Sequence, residues 1–309
     1  MEASKSRSAH ARLFGTSDLT RQPRCSVIVA HSDDEIVGAG CLISKLANIT
    51  VLHITDGTPP SKQDAQAAGF ERLSDYARAD YARARRQECI SALALANVPQ
   101  EKIVDFGVAD QQAPHYLAAL AKRITTFLQQ SAPDFVLTHP YEGGHPDHDA
   151  AAFATHAATR LIRQSGIKPP VVFEIALHPS RDGKSKVPEF LPNSTREITT
   201  LVLDQEARDL KCRMYDCFAT QRQVLKASPI GPEKFRQPPC YDFRRPPQRG
   251  KLHYENFACG LTGEQWQILA CEALENLFPA VAGHSAESDS FGVCLDQMRR
   301  CEIVDEPGR

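Results

Sequence analysis

Several features that would assign a function class at once are missing from this 309-residue sequence. Lys and Arg total 36 against 38 Asp and Glu, so the net charge is -2 and no global basic field exists to bind nucleic acid or an anionic membrane. The apolar runs fall short of the roughly 20 residues that a membrane helix needs, so we expect no transmembrane segment. The opening stretch, MEASKSRSAH, also lacks the apolar core of a secretory signal. These absences predict a cytoplasmic protein without a nucleic-acid partner.

Two further signatures are absent. The ten cysteines are scattered, and none forms a Cys-x-x-Cys pair. Cys25, Cys41 and Cys271 sit in apolar stretches, which is typical of reduced core residues in a cytoplasmic protein rather than of a cysteine metal site. No Gly-x-Gly-x-x-Gly follows the first predicted strand, because the GAG at 38–40 falls inside a predicted helix. The sequence therefore gives little support for a dinucleotide-binding site.

Strands and helices alternate along the chain instead. The predicted strands are 25–30, 49–55, 102–108, 134–139, 171–177 and 197–203. The predicted helices are 35–47, 71–97, 115–130, 148–162, 204–226 and 262–278. Strands rich in Val and Ile that alternate with helices indicate an α/β fold, namely a Rossmann-like open, mostly parallel sheet with helices on both faces.

Composition divides the chain into four parts. We predict a flexible tail over 1–22, an α/β domain over 23–227, an extension over 228–281 packed on that domain, and a loosely ordered tail over 282–309. Within the extension, 228–257 is rich in Pro, Arg and aromatic residues, which argues against a central strand or a regular helix. Two readings of this stretch stay open: a wall that confers substrate specificity, or a structural wrap over the sheet edge or an oligomer contact.

The first unusual polar cluster ends the first strand, in VIVAHSDDE (27–35). Here an apolar run stops on His31 and is followed by Asp33, Asp34 and Glu35. In open α/β sheets, ligands bind at the carboxyl ends of the strands. The acids alone would also suit a helix N-terminus.

The second cluster follows the fourth strand, in THPYEGGHPDHDAAA (138–152). Pro146 suits the first turn of a helix, so we expect the helix to open at His145 and to place His145 and His148 on roughly one side. The Gly143-Gly144 pair permits a sharp turn before it. A polar helix start is the plainer interpretation of this stretch.

Because the two polar clusters both lie at the ends of strands in one predicted sheet, together they favour a metal site. Two imidazoles and one carboxylate are a common ligand set for catalytic Zn²⁺, and His31 and Asp34 together with the second cluster supply these groups. Asp33 is then the candidate to take a proton from a bound water. Among the other histidines, His53 and His156 are predicted to be structural, whereas His139 and His178 lie close enough to the site to stay open.

These residues resemble a known family, the PIG-L/LmbE-like metal-dependent N-acetylglucosamine deacetylases. The family motif Ala-His-Pro-Asp-Asp-Glu stands here at 30–35, with Ser32 in place of proline, and its His-x-Asp-His motif stands at 145–148. The TDG at 55–57 and an Arg-x-x-Glu pattern at 85–88 also agree with the family. The resemblance covers about residues 25–225.

The resemblance implies a hydrolase that removes an acetyl group from an N-acetylated amino sugar or glycoconjugate. The resemblance implies three metal ligands for Zn²⁺, or for Fe²⁺ or another divalent metal (His31, Asp34, His148). It also implies a general base (Asp33), an oxyanion donor in protonated form (His145) and a sugar contact (Arg85). In the mechanism that follows, Asp147 is the candidate to orient an imidazole. Some relatives carry a tyrosine where this chain has Gly143, so Tyr141 receives no catalytic role. A non-catalytic metal- or sugar-binding module and a nucleotide-binding oxidoreductase are the alternatives, and a homo-oligomer is compatible with all three.

Overall fold

The computed structural model describes residues 12–15, 22–59, 75–178, 187–192, 196–226, 228–256 and 260–279. Its strands are β1 (Arg24–Val29), β2 (Asn48–Thr55), β3 (Ile103–Val108), β4 (Phe135–Thr138), β5 (Val171–Ile175), β6 (Ile198–Leu201) and β7 (Glu233–Arg236). Its helices are α1 (Asp34–Ile43), α2 (Asp75–Ala94), α3 (Leu117–Ser131), α4 (Pro146–Gln164), α5 (Gln205–Asp216), α6 (Arg222–Lys226) and α7 (Gly263–Leu277). Short 3₁₀ turns occupy Gln100–Lys102, Ala113–Tyr116 and His253–Asn256.

The strands form one sheet in the order β3-β2-β1-β4-β5-β7-β6. The pairs β3-β2, β2-β1, β1-β4 and β4-β5 are parallel, whereas β7 runs antiparallel to both β5 and β6. The chain therefore moves outward from β1 to β3 on one side and then returns to place β4 on the other side of β1. Loops that leave β1 and β4 open a crevice at such a switch point, and both polar clusters lie there.

Alternation along the strands explains why helices cover both faces. Val27 and Val29 of β1 pack with α1, α2 and α5, whereas Ile28 packs with α3, α4 and α7. All three side chains are fully buried, as expected for a parallel sheet covered on both sides. The predicted Rossmann-like α/β architecture is confirmed.

Two elements differ from the prediction. The helix expected over 204–226 is split into α5 and α6, because the chain turns at 217–221 and places Phe218 in the core. The expectation that 228–257 holds no central strand is wrong for β7, which lies between β5 and β6. Pro232 and Pro238 flank this strand instead of interrupting it, so its backbone N–H groups remain available for pairing.

Part of the predicted N-terminal tail contacts the core. Leu13 is buried, and the ring of Phe14 lies 5.3 Å from that of Phe173 on β5. Residues 1–11 and 16–21 of the predicted N-terminal tail, and the predicted tail over 282–309, lie outside the described residues. Among the helices of the described ranges, none has the length and apolarity needed to cross a membrane.

Candidate active site

The loops after β1 and β4 are joined directly. After Val29 the chain turns tightly, since the amides of Asp33 and Asp34 both donate to the carbonyl of His31, at 3.0 and 3.3 Å. The backbone amide of Ala30 donates to Nε2 of His139 in the second loop, at 2.9 Å. This bond holds the two strand ends together and brings both polar clusters to one crevice.

Three predicted metal ligands converge there. Nδ1 of His31 lies 3.3 Å from Oδ2 of Asp34 and 3.3 Å from Nε2 of His148, and the last two atoms are 3.5 Å apart. Ligands placed about 2.1 Å from one ion at tetrahedral angles are about 3.4 Å from each other. The triangle therefore fits a single divalent cation with an open coordination position.

The surroundings set the charge of these ligands. Burial raises the pKa of Asp34, but the nearby imidazoles of His148 and His139 outweigh it and hold this pKa well below the usual value. Burial, together with His139, holds the pKa of His148 well below its usual range. An ionised carboxylate and a neutral imidazole are the forms that coordinate a metal.

His31 is oriented by two carboxylates. Its Nε2 lies 2.9 Å from Oδ1 of Asp110 and 3.4 Å from Oδ2 of Asp147. Burial lowers the pKa of His31, but these acids and Asp34 more than offset it and raise the pKa well above the usual value. The same carboxylates fix the orientation of the ring, and a cation that binds Nδ1 would displace the proton from this nitrogen.

Asp147 is itself anchored to a third loop. Its carboxylate accepts from the backbone amides of Gln111, at 2.6 Å, and Ala113, at 3.0 Å, and its side chain is fully buried. The Asp147 carboxylate is thereby held beside the ring of His31. Sequence reasoning missed Asp110, although its position after the third strand, at the same sheet edge, was the available signal.

His148 is held by two further histidines. Its Nδ1 lies 3.1 Å from Nε2 of His178, and its ring stacks on that of His139 at 4.0 Å between centroids. A Cβ on Gly144 would lie 2.4 Å from Nε2 of His178, so only glycine leaves room for this ring. Both histidines left open by the sequence thus support the site.

Asp33 and Asp34 have different environments although they are neighbours. Asp33 is absent from the ligand triangle, and its Oδ2 lies 3.4 Å from the guanidinium of Arg85. Burial raises the pKa of Asp33 to about 6, against the opposing effect of Arg85. Arg85 is only 5% exposed and packs against Gly57, which has φ +69 and where a Cβ would lie 3.1 Å from the guanidinium. The TDG motif therefore makes space for the arginine that contacts Asp33.

His145 is the N-cap of α4, as the sequence predicted for the helix start. Its Nδ1 accepts from the backbone amide of Asp147 at 3.2 Å, so the neutral ring carries its proton on Nε2. Burial, together with His31, lowers the pKa of His145. These contacts favour a neutral donor rather than the protonated ring that was expected.

The extension supports the second loop. The hydroxyl of Tyr141 donates to the carbonyl of Arg245 at 2.9 Å, and the amide of His253 donates to the carbonyl of Gly143 at 3.0 Å. Arg236 of β7 pairs with Glu142 at 2.9 Å. Tyr141 is buried in these contacts.

Comparison with known proteins agrees with this geometry. The family model PIG-L, described as GlcNAc-PI de-N-acetylase, matches residues 26–159. No curated protein gives a significant sequence match.

Solved structures share the fold. The A40926 pseudoaglycone deacetylase Dbv21 is 23% identical with a TM-score of 0.52, over 70% of this chain and 97% of that one. A zinc-inhibited form of the teicoplanin deacetylase Orf2 is 18% identical with a TM-score of 0.50, over 69% and 97%. A deacetylase–teicoplanin complex is 19% identical with a TM-score of 0.52, also over 69% and 97%. The PIG-L family model therefore matches the stretch, residues 26–159, that holds both polar clusters and Arg85.

Proposed function

We propose that this protein is a metal-dependent N-deacetylase that hydrolyses the acetamide of an N-acetylated amino sugar or glycoconjugate. One observation carries the proposal: a metal-sized triangle of His31, Asp34 and His148 stands beside a carboxylate, Asp33, that takes no part in it. The family match and the deacetylase neighbours support the same chemistry.

The donor set suits the implied cation. Two imidazoles and one carboxylate with an open position are typical of catalytic zinc, and Fe²⁺ accepts the same set. We propose Zn²⁺ as the metal. A cation held by these three residues would supply Lewis acidity to the amide carbonyl and to a water molecule.

The remaining steps belong to the side chains. Asp33 accepts a proton from the water that attacks the carbonyl carbon, and the guanidinium of Arg85 holds the Asp33 carboxylate in place. Nε2–H of His145 donates to the carbonyl oxygen as negative charge develops on it. Asp33 then returns the proton to the nitrogen as the C–N bond breaks, which yields acetate and the free amine.

Arg85 was predicted to contact sugar, and its burial against Asp33 supports a positioning role as well. The exposed arginines of the extension, Arg244, Arg245 and Arg249, are accessible to a large or acidic substrate. Phe235, Phe243 and Tyr254 of the same stretch are buried, which supports a structural wrap with an arginine-rich outer surface.

The alternatives explain less. A binding module has no use for Asp33 or for the arginine that holds it. A nucleotide-binding oxidoreductase requires a glycine-rich turn after β1, where this chain places His31 and the two aspartates. We also propose a cytoplasmic location, because the described cysteines are all free of disulfides.

Amine release from a panel of N-acetylated sugars tests the proposal. Zinc-loaded protein should release amine and acetate in equal amounts, and chelator-treated protein or His148→Ala should not. Asp209→Asn, an exposed acid on α5, serves as the matched control and should match wild type. Metal-loaded protein that binds the sugars but releases no acetate would favour the binding module.

A further inference from the structure

A second cluster of metal-ligating groups lies in the core, behind the start of α1. Nε2 of His53 lies 3.2 Å from Oε2 of Glu35, and Sγ of Cys89 lies 3.4 Å from Oε1 of Glu35 and 3.9 Å from Nε2 of His53. The three residues come from α1, β2 and α2, and their exposures are 0, 1 and 1%. Of the acids that crowd the end of β1, Glu35 is thus the one that turns away from the crevice.

We propose that Glu35, His53 and Cys89 form a second, structural metal site for a borderline-soft divalent cation such as Zn²⁺. Zinc–sulfur bonds of about 2.3 Å and zinc–nitrogen or zinc–oxygen bonds of about 2.1 Å place tetrahedral ligands about 3.4 to 3.6 Å apart. The three observed separations bracket those values. The proposal does not depend on the deacetylase chemistry.

The carboxylate of Glu35 has a feature that hydrogen bonding leaves unexplained. Oε2 is buried and makes no hydrogen bond, although it faces Nε2 of His53. Its other oxygen faces the thiol of Cys89. A carboxylate that spans the imidazole and the sulfur in this way offers an oxygen to an ion beside both of them, so three protein ligands would hold it. Burial of a carboxylate is costly, and a divalent cation would offset that cost further than the imidazole of His53 does.

The orientation of His53 fits a metal ligand. Its Nδ1 lies 3.1 Å from Oδ1 of Asp105 on β3, and Asp105 also pairs with Arg86 of α2. A carboxylate on the far nitrogen directs Nε2 toward the cluster and raises its basicity, as at known metal-bound imidazoles. Because thiolate, imidazole and carboxylate together suit zinc and exclude Mg²⁺ or Ca²⁺, the ligand types select the ion.

Such an ion would tie α2 and β2 to the first turn of α1. That turn begins with Asp34, a ligand of the first triangle, and follows Asp33. The second site would therefore fix the backbone that carries the acids of the crevice.

Cobalt substitution tests the proposal, because only a cysteine-bound Co²⁺ shows sulfur-to-metal charge transfer in the near ultraviolet. The full chain is expressed in cobalt-supplemented medium, so that ions enter during folding, and metal per chain is measured by elemental analysis. Wild type should hold two ions and show the band. His148→Ala should hold one ion and keep the band, since the first triangle contains no sulfur.

Cys89→Ala should hold one ion and lose the band. Cys25→Ala, which removes a buried thiol that donates to the Ser26 carbonyl, is the matched control and should keep two ions and the band. A wild-type protein without the band, or a band that survives in Cys89→Ala, overturns the proposal. The wild-type spectrum decides the question even where the Cys89 variant fails to fold.

Discussion

The loops after β1 and β4 both deliver ligands to the crevice, but different parts of the chain hold them. The first loop is held by its own tight turn, by Arg85 and by Asp110, all within the family-matched region. The second loop, 139–145, is held from outside that region by Arg236 and His253 of the extension. The first loop is thus held by residues of the family-matched region, whereas the second loop, which Asp149 of that region also holds, depends in addition on the extension.

Of the loop variants, Asp34→Ala in the first loop should have the largest effect on activity. It removes the anionic corner of the triangle, so we expect loss of the bound metal together with activity below detection. Elemental analysis and amine release, measured on the same sample, check both. Unchanged metal content would remove Asp34 from the ligand set.

Asp33→Asn should distinguish the role of Asp33 from that of its neighbour Asp34. The amide keeps the size of the side chain but accepts no proton, so we expect metal content to stay at the wild-type level and kcat to fall about 10²- to 10⁴-fold. Steady-state kinetics on metal-loaded protein measure the change. Turnover at the wild-type rate would assign the base to another group.

His145→Ala probes the second loop. Loss of the Nε2–H donor should lower kcat by about 10²- to 10³-fold with metal retained, the scale found for one oxyanion donor. His115→Ala, an exposed histidine before α3, is the matched control and should match wild type. A kcat equal to that of wild type would exclude His145 from charge stabilisation.

The stability that the contact between the extension and α4 contributes should depend on pH. Burial lowers the pKa of His156 on α4 from 6.5 to about 4, where its ring contacts Tyr241 and Phe243. Below pH 6.5 the unfolded chain binds the proton first, so the stability that His156 contributes should fall as the pH drops from 6.5 toward 4. Urea unfolding of wild type and His156→Gln across this range should give a smaller slope for the variant, and equal slopes would contradict the assignment.

The smallest effect is expected on the outer surface of the extension. Arg244→Ala with Arg245→Ala removes two exposed charges, so KM for an acidic or extended glycan should rise about two- to fivefold at low salt. Metal content, folding and hydrolysis of simple N-acetylglucosamine should stay the same. An equal loss on both substrates would favour a purely structural extension.

Much of the fold was predictable because it follows from local patterns. Val/Ile runs of strand length between amphipathic helices specify a parallel sheet, and Pro146 specifies the start of α4. The break between α5 and α6 was not predictable, since it depends on Phe218 finding space in the core. β7 was missed because two flanking prolines hid a four-residue strand whose partners lie some 60 and 35 residues away in sequence.

Two short stretches of the sequence are enough to predict which residue types end β1 and open α4, and hence the chemistry of the predicted metal ligands, because motif spacing sets what one strand end or one helix turn can present. How those groups are used follows from the packing of distant elements. Asp110 and His178 approach the ligands from β3 and from beyond β5, and Glu35 turns into the core while Asp33 and Asp34 face the crevice. These side-chain contacts depend on which strands are neighbours in the sheet and on where a charged group can be buried beside a partner. Neither can be predicted from a single stretch of the sequence.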